Sequence, residues 1–205
     1  MRLILASASP RRADLLRAAG FTFETVVADV DEAVLAGESP ALYVRRLAAE
    51  KSAAARSAEA SRSSDWDGTR GFSRADAFIL AADTTVVIDN EILGKPRDDQ
   101  DAATMLERLS GRRHDVLTGV SIRRNAFEVG RVESTAVSFA PLSPDDVAWY
   151  VGSGEGRDKA GGYAIQGLAS RFVTRIDGSY SNVVGLPVAA VVELLTEAGF
   201  FQPKR

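Results

Sequence analysis

Apolar and polar positions along this chain fall into blocks whose period changes. Leu3 to Ala6 is a short apolar run that stops at Ser7. Ser9 and Pro10 then open ADLLRAAG, closed by Gly20. This is strand, loop, helix, with Ser9 a candidate N-cap and Pro10 at the first helical position, where a missing N–H costs nothing. The Ser-Pro device recurs at Ser39-Pro40 and Ser143-Pro144. Between the first two, FTFETVV alternates as a strand does, and the acidic turn DVDE follows it. A helix from Pro40 to about Arg56 is predicted next. Ser57 to Asp76, rich in Ser, Arg, Asp and Gly, has no apolar period and reads as a surface loop.

Phe78 to Ala82 is continuously apolar, the signature of a strand covered on both faces, and it breaks off at Asp83-Thr84-Thr85. VVID, a turn at Asn90-Glu91 and ILGKP come after it. Asp98 or Asp99 caps a helix carrying Met105, Leu106 and Leu109, closed by Gly111. DVLTGVSI and VESTAVSFA pattern as paired strands. A helix from Pro144 to about Val151 precedes the Gly-rich segment GSGEGRDKAGGYAIQG. FVTRI and SYSNVVG then flank an Asp177-Gly178 turn, and Pro187 to Ala198 forms the last amphipathic helix. About seven strands and five helices, interleaved at first and hairpin-like later, predict an α/β fold with a mixed twisted sheet flanked by helices.

A length of 205 residues fits one domain, 1–205, or one domain in two lobes around a cleft. With 45% hydrophobic and 26% charged residues the chain is no disordered polymer. Its net charge of -3, with Lys and Arg scattered, argues against nucleic acid as a partner but not against a small anion. The absence of cysteine removes disulfides, thiol nucleophiles and thiolate metal sites, and His114, the only histidine, cannot make a zinc site alone. A metal would be hard, Mg²⁺ or Mn²⁺, held by carboxylates and substrate oxygens. The apolar run at the amino terminus is too short for a signal peptide and no stretch approaches a membrane span, so the cytoplasm is the expected location, with no membrane partner.

Several segments could carry chemistry. Ser7, Ser9, Arg11 and Arg12 stand where a strand feeds a helix N-terminus, and they read either as a phosphate cradle or as a capped helix with two surface arginines. Asp83 follows a buried strand directly; it is a catalytic carboxylate or an Asx turn onto Thr85. Asp29, Asp31 and Glu32 could share a metal with Asp83, or form a solvated turn. Lys51 and Lys95 are candidate phosphate partners, the latter stiffened by Pro96. Arg112, Arg113 and His114 are a basic rim or a loop after a helix. In DKAGGYAIQG the paired glycines permit close approach of a ligand, while Lys159, Tyr163 and Gln166 supply a charge, a ring and an amide.

SASPRR, YVRRLAAEKS, AADTTVV, GKPRD, LSGRRHDVLTGV, DKAGGYAIQG and GSYSNVVGLP resemble, in order and over nearly the whole chain, the motifs of the Maf family. The resemblance implies a two-lobed α/β nucleotide pyrophosphatase. It implies Asp83 as proton acceptor, Arg12, Thr84 and Gln166 as specificity positions, and Ser7, Arg11, Glu32, Lys51 and Lys95 as residues of the substrate cleft. From the acidic cluster itself, the expected metal is Mg²⁺ or Mn²⁺ at Glu32 and Asp83. KAGGYAIQG is similar to the branch that hydrolyses dTTP and UTP, which makes a nucleoside triphosphate the expected substrate. From its composition the chain is expected to be a folded monomer or a small oligomer such as a homodimer. A second reading is a nucleotide-holding regulator of cell division without turnover.

Overall fold

The computed structural model describes residues 1–61 and 77–201. In chain order the strands are β1 (Leu3–Ala6), β2 (Glu24–Val26), β3 (Phe78–Ile88), β4 (Glu91–Leu93), β5 (Arg113–Arg124), β6 (Phe127–Phe139) and β7 (Val173–Asp177). The helices are α1 (Pro10–Ala18), α2 (Pro40–Ser61), α3 (Asp99–Leu109), α4 (Pro144–Ser153), α5 (Tyr180–Val184) and α6 (Val188–Glu197), with short 3-10 turns at Ala160–Gly162 and Leu168–Phe172. The strands make one mixed sheet in the order β2-β1-β3-β5-β6-β7, with β4 added to β3. Among the described residues no helix is long and apolar enough to cross a membrane.

β3 is the axis of the molecule. Along one edge it pairs antiparallel with β5 from Ile79 to Val87. Along the other, β1 pairs in parallel with Phe78 to Ala81, and β4 pairs antiparallel with Val86 to Ile88. Neither reaches Ala82 to Thr85, so among the described residues that stretch of edge has no strand partner. Asp83 is therefore not at a strand end, as its sequence context implies. The strand runs on through Asp83, and VVID is its second half, turning at Asp89 and Asn90, both with positive φ.

The apolar core divides at the same place. Leu3, Leu5, Phe78 and Leu80 pack with Leu16 of α1 and Leu194 of α6. Beyond Asp83, Val86, Ile88 and Leu93 pack with Leu106 of α3, Tyr150 of α4 and Phe172. A third cluster packs Ile79 and Ala81 of β3 with Ile4 and Ala6 of β1 and Ala55 of α2, and the cleft lies between the first two.

Two elements differ from the sequence pattern. α2 continues to Ser61, so Ser57 to Ser61 are helical, not loop; the remainder of that predicted loop lies outside the described residues. SYSNVVG is mostly the short helix α5 instead of a strand, capped by the Ser179 hydroxyl accepting from the Asn182 N–H at 3.3 Å. His114 is no loop residue either; it is buried in β5 against Phe139 and Tyr163.

Candidate active site

A cleft of about 550 Å³ opens over the edge of β3, and the residues that the Maf resemblance marks, together with Lys159, line it, whereas Arg112, Arg113 and His114 do not. Asp29 and Asp31 do not line it; both are exposed, and Asp31 Oδ1 accepts from the Ala33 N–H at 2.9 Å.

The first wall is α1. Ser9 occupies its N-cap position, yet no side chain caps the helix, contrary to the sequence expectation. Instead the Ser7 hydroxyl accepts from the Ser9 N–H at 3.1 Å, and the first-turn N–H groups face the cleft without a capping side chain. Arg12 is anchored by neutral acceptors alone: Nε donates to Gly185 O at 2.8 Å, Nη2 to Thr84 Oγ1 at 3.0 Å and Nη1 to Ser7 Oγ at 3.3 Å. Burial pulls its guanidinium below the ordinary arginine range, with Asp83 opposing and Arg11 assisting. Among the described residues neither Arg11, Arg12 nor Lys95 has an ion-pair partner. Three cations without ion-pair contacts around one cavity attract an anion.

The second wall holds the carboxylates. Lys51 Nζ donates to Asp83 Oδ1 at 2.7 Å and to Glu32 Oε1 at 2.6 Å. The side chains of Lys51 and Asp83 are only 12% and 11% exposed, so solvent screens this pair little. Burial pushes the Glu32 carboxyl up, but the bond to Lys51 and the charges of Lys51, Lys95 and Arg12 outweigh it and hold the group below its ordinary value. Lys51 reaches inward because α2 lies close on the sheet: a Cβ at Gly119 of β5 would stand 2.1 Å from Val44 O.

The third wall is the Gly-rich segment. Gly161 N–H donates to Gly94 O at 3.0 Å, tying KAGG to the loop that carries Lys95. Lys159 lines the cleft and is paired with its neighbour Asp158. Gln166 is exposed toward the cleft, and among the described residues its amide has no protein partner.

A family model described as Maf-like protein matches residues 2–198. The chain belongs to the Maf family. A relative from Anaeromyxobacter dehalogenans strain 2CP-C, named a dTTP/UTP pyrophosphatase, is 48% identical over 98% of this chain and 96% of its own length. One from Shewanella oneidensis with the same name is 47% identical over 97% and 99%. Among solved structures, the Staphylococcus aureus Ham1 protein covers 68% of this chain and 72% of its own at 15% identity and a TM-score of 0.44.

The sequence reading passed over one residue that lines the Maf cleft and two that stand behind it. Tyr43 lines it and donates to Glu32 O at 3.1 Å, its phenol pushed up to about 12 by burial and the charges of Asp83 and Glu32. Its signal was present: Tyr43, Leu47 and Lys51 fall at i, i+4, i+8 on α2. Thr118 and Asn182 gave no such signal. Thr118 Oγ1 lies 2.9 Å from Thr84 Oγ1 and 3.3 Å from Asn182 O, while Asn182 Nδ2 donates to Val116 O and Thr135 Oγ1, both at 3.0 Å. This buried chain fixes the turn whose Gly185 carbonyl holds Arg12.

Proposed function

We propose that this Maf-family chain is a nucleoside triphosphate pyrophosphatase that hydrolyses dTTP and UTP to the monophosphate and diphosphate with Mg²⁺ or Mn²⁺. The observation that carries the reading is the pairing of walls: three cations without ion-pair partners face a carboxylate held by a lysine across one cleft. That is an anion receptor with a group able to orient water. The regulator without turnover draws no support from relatives that are named for an enzyme activity.

Among the described residues no cluster of three or more metal-ligating side chains exists. Glu32 and Asp83, both on Lys51, offer the one or two hard carboxylates that suit Mg²⁺ or Mn²⁺ when phosphate and water oxygens complete the shell. Held there, the ion supplies charge neutralisation on the phosphates and a more acidic water. Asp83 orients a water through the oxygen that Lys51 leaves open and takes its proton as the water attacks the α-phosphorus in line. Arg11, Arg12, Lys51 and Lys95 neutralise the charge that develops on the phosphoryl oxygens, the chief need in phosphoryl transfer. Diphosphate leaves.

Gln166 reads the base. Its amide donates through nitrogen and accepts through oxygen, matching the adjacent carbonyl and N–H of thymine or uracil. Cytosine presents an amino group and a bare ring nitrogen, a mismatch of about 1–3 kcal/mol for each desolvated polar group. The test is diphosphate release from dTTP, UTP, CTP, purine triphosphates and 7-methyl-GTP. Preference for dTTP and UTP is expected; preference for 7-methyl-GTP, or tight binding of dTTP without turnover, contradicts the reading.

A further inference from the structure

Among the described residues the side chain of Gln166 has no hydrogen-bond partner, so whatever fixes its backbone fixes the base-reading groups. Two buried or half-buried side chains meet behind it. Tyr150 of α4 is 1% exposed. Its hydroxyl donates to Glu155 Oε2 at 2.9 Å and accepts from the Ala164 N–H at 3.0 Å. The Glu155 carboxylate also accepts from the Leu168 N–H on Oε1 at 3.0 Å and from the Ala169 N–H on Oε2 at 3.4 Å. The bonds thus land on both sides of Gln166, two residues before it and two and three residues after it.

The space is built for this carboxylate. A Cβ at Gly167 would lie 1.9 Å from Glu155 Oε1, so the carboxylate fills the volume that any other residue at 167 would need. Close by, a Cβ at Gly156 would lie 2.0 Å from Gly162 O, which brings the Glu155 turn against the glycines of KAGG. Burial raises the Tyr150 phenol above its ordinary value and Glu155 acts in the same direction, so the hydroxyl keeps the proton it donates.

We propose that Tyr150 and Glu155 form a clamp that sets the position of Gln166, and that both are positioning residues for base choice. The proposal rests on the reading of Gln166 as the residue that meets the base. Neither side chain lines the cleft, and neither touches Asp83 or Lys51. The clamp therefore acts on selectivity and leaves the reacting centre in place. Glu155→Gln turns one acceptor into a donor facing an N–H or the phenol, while Tyr150→Phe deletes only the shared hydroxyl.

The experiment compares kcat and KM for dTTP and CTP in the native enzyme, Glu155→Gln, Tyr150→Phe and Gln166→Glu, with thermal unfolding of each. Each clamp variant is expected to lower the dTTP to CTP ratio of kcat/KM about tenfold, through a raised KM for dTTP with kcat held within about threefold. Amide exchange at Leu168 and Ala169 should quicken at the same time. A merely structural role would lower the midpoint and reduce both substrates alike; an unchanged ratio in a folded clamp variant, with Gln166→Glu eroding that ratio, overturns the clamp. If Gln166→Glu itself leaves the ratio unchanged, the base reading fails and the proposal falls with it, by a different signature. Should Glu155→Gln not fold, Tyr150→Phe decides alone.

Discussion

The role proposed for Asp83 follows from where β3 has no strand partner among the described residues. A carboxylate inside a strand is costly unless its charge is met, and here Lys51 meets it at 2.7 Å while the edge toward the cleft stays open. Asp83→Asn keeps the shape and removes the charge. Turnover should fall at least about a hundredfold, as for loss of a general base, with the circular dichroism spectrum and unfolding midpoint of a folded protein; near-native kcat in a folded variant contradicts the role. The apolar run before Asp83 drew attention to it in the sequence, since such runs end at functional groups in α/β sheets. Its placement was misread because a polar triplet looks like a break, whereas Thr85 and Val86 simply continue the strand. His114 was misread in a similar way. Burial from Arg113 to Val116 alternates out, in, out, in, but an imidazole counts as polar in a period-two pattern and Arg112 and Arg113 beside it suggest a surface.

At the scale of elements, propensity and tertiary contact compete. Ser57 to Ser61 looked like loop for its serines, yet Ala and Glu there favour helix, and Glu59 is buried with Arg2 Nη1 at 2.8 Å. SYSNVVG has the β-branched residues of a strand, but the buried Asn182 amide secures a helical turn instead, an override no local pattern reveals. The cleft walls themselves were legible because each begins at a marked junction: strand to helix at Ser7, strand edge at Asp83, paired glycines at 161 and 162. What stayed hidden was distance, above all the approach of α2 to β5. Gly119→Ala tests that approach. With Val44 O only 2.1 Å from the added carbon, α2 must shift, at a cost of about 1–3 kcal/mol for overpacking. Chemical denaturation should show the loss, and turnover should fall with it because Lys51 moves; an unchanged midpoint would mean the helix sits further from the sheet.

For the molecule as a whole, β3 joins three apolar clusters, and the one beyond Asp83 surrounds a buried base. Burial pulls His114 from 6.5 to about 4, while Tyr163 OH lies 2.8 Å from its Nε2. Between those values the unfolded chain takes up a proton that the folded one refuses, so stability is full above pH 6.5 and is lost as pH falls toward 4. The loss should reach about 3 kcal/mol, read from urea unfolding at pH 7 and pH 4, with His114→Leu flattening the dependence across this window. A native slope that survives the substitution would assign it to other groups.

The central claim is that the cleft directs water, through Asp83, onto the α-phosphorus of a pyrimidine triphosphate. Hydrolysis of dTTP in ¹⁸O-labelled water with Mg²⁺ or Mn²⁺, followed by mass spectrometry of both products, tests it directly. The account predicts one ¹⁸O in the monophosphate, none in the diphosphate, and equal amounts of the two. Label in the diphosphate, or orthophosphate as the product, would contradict it.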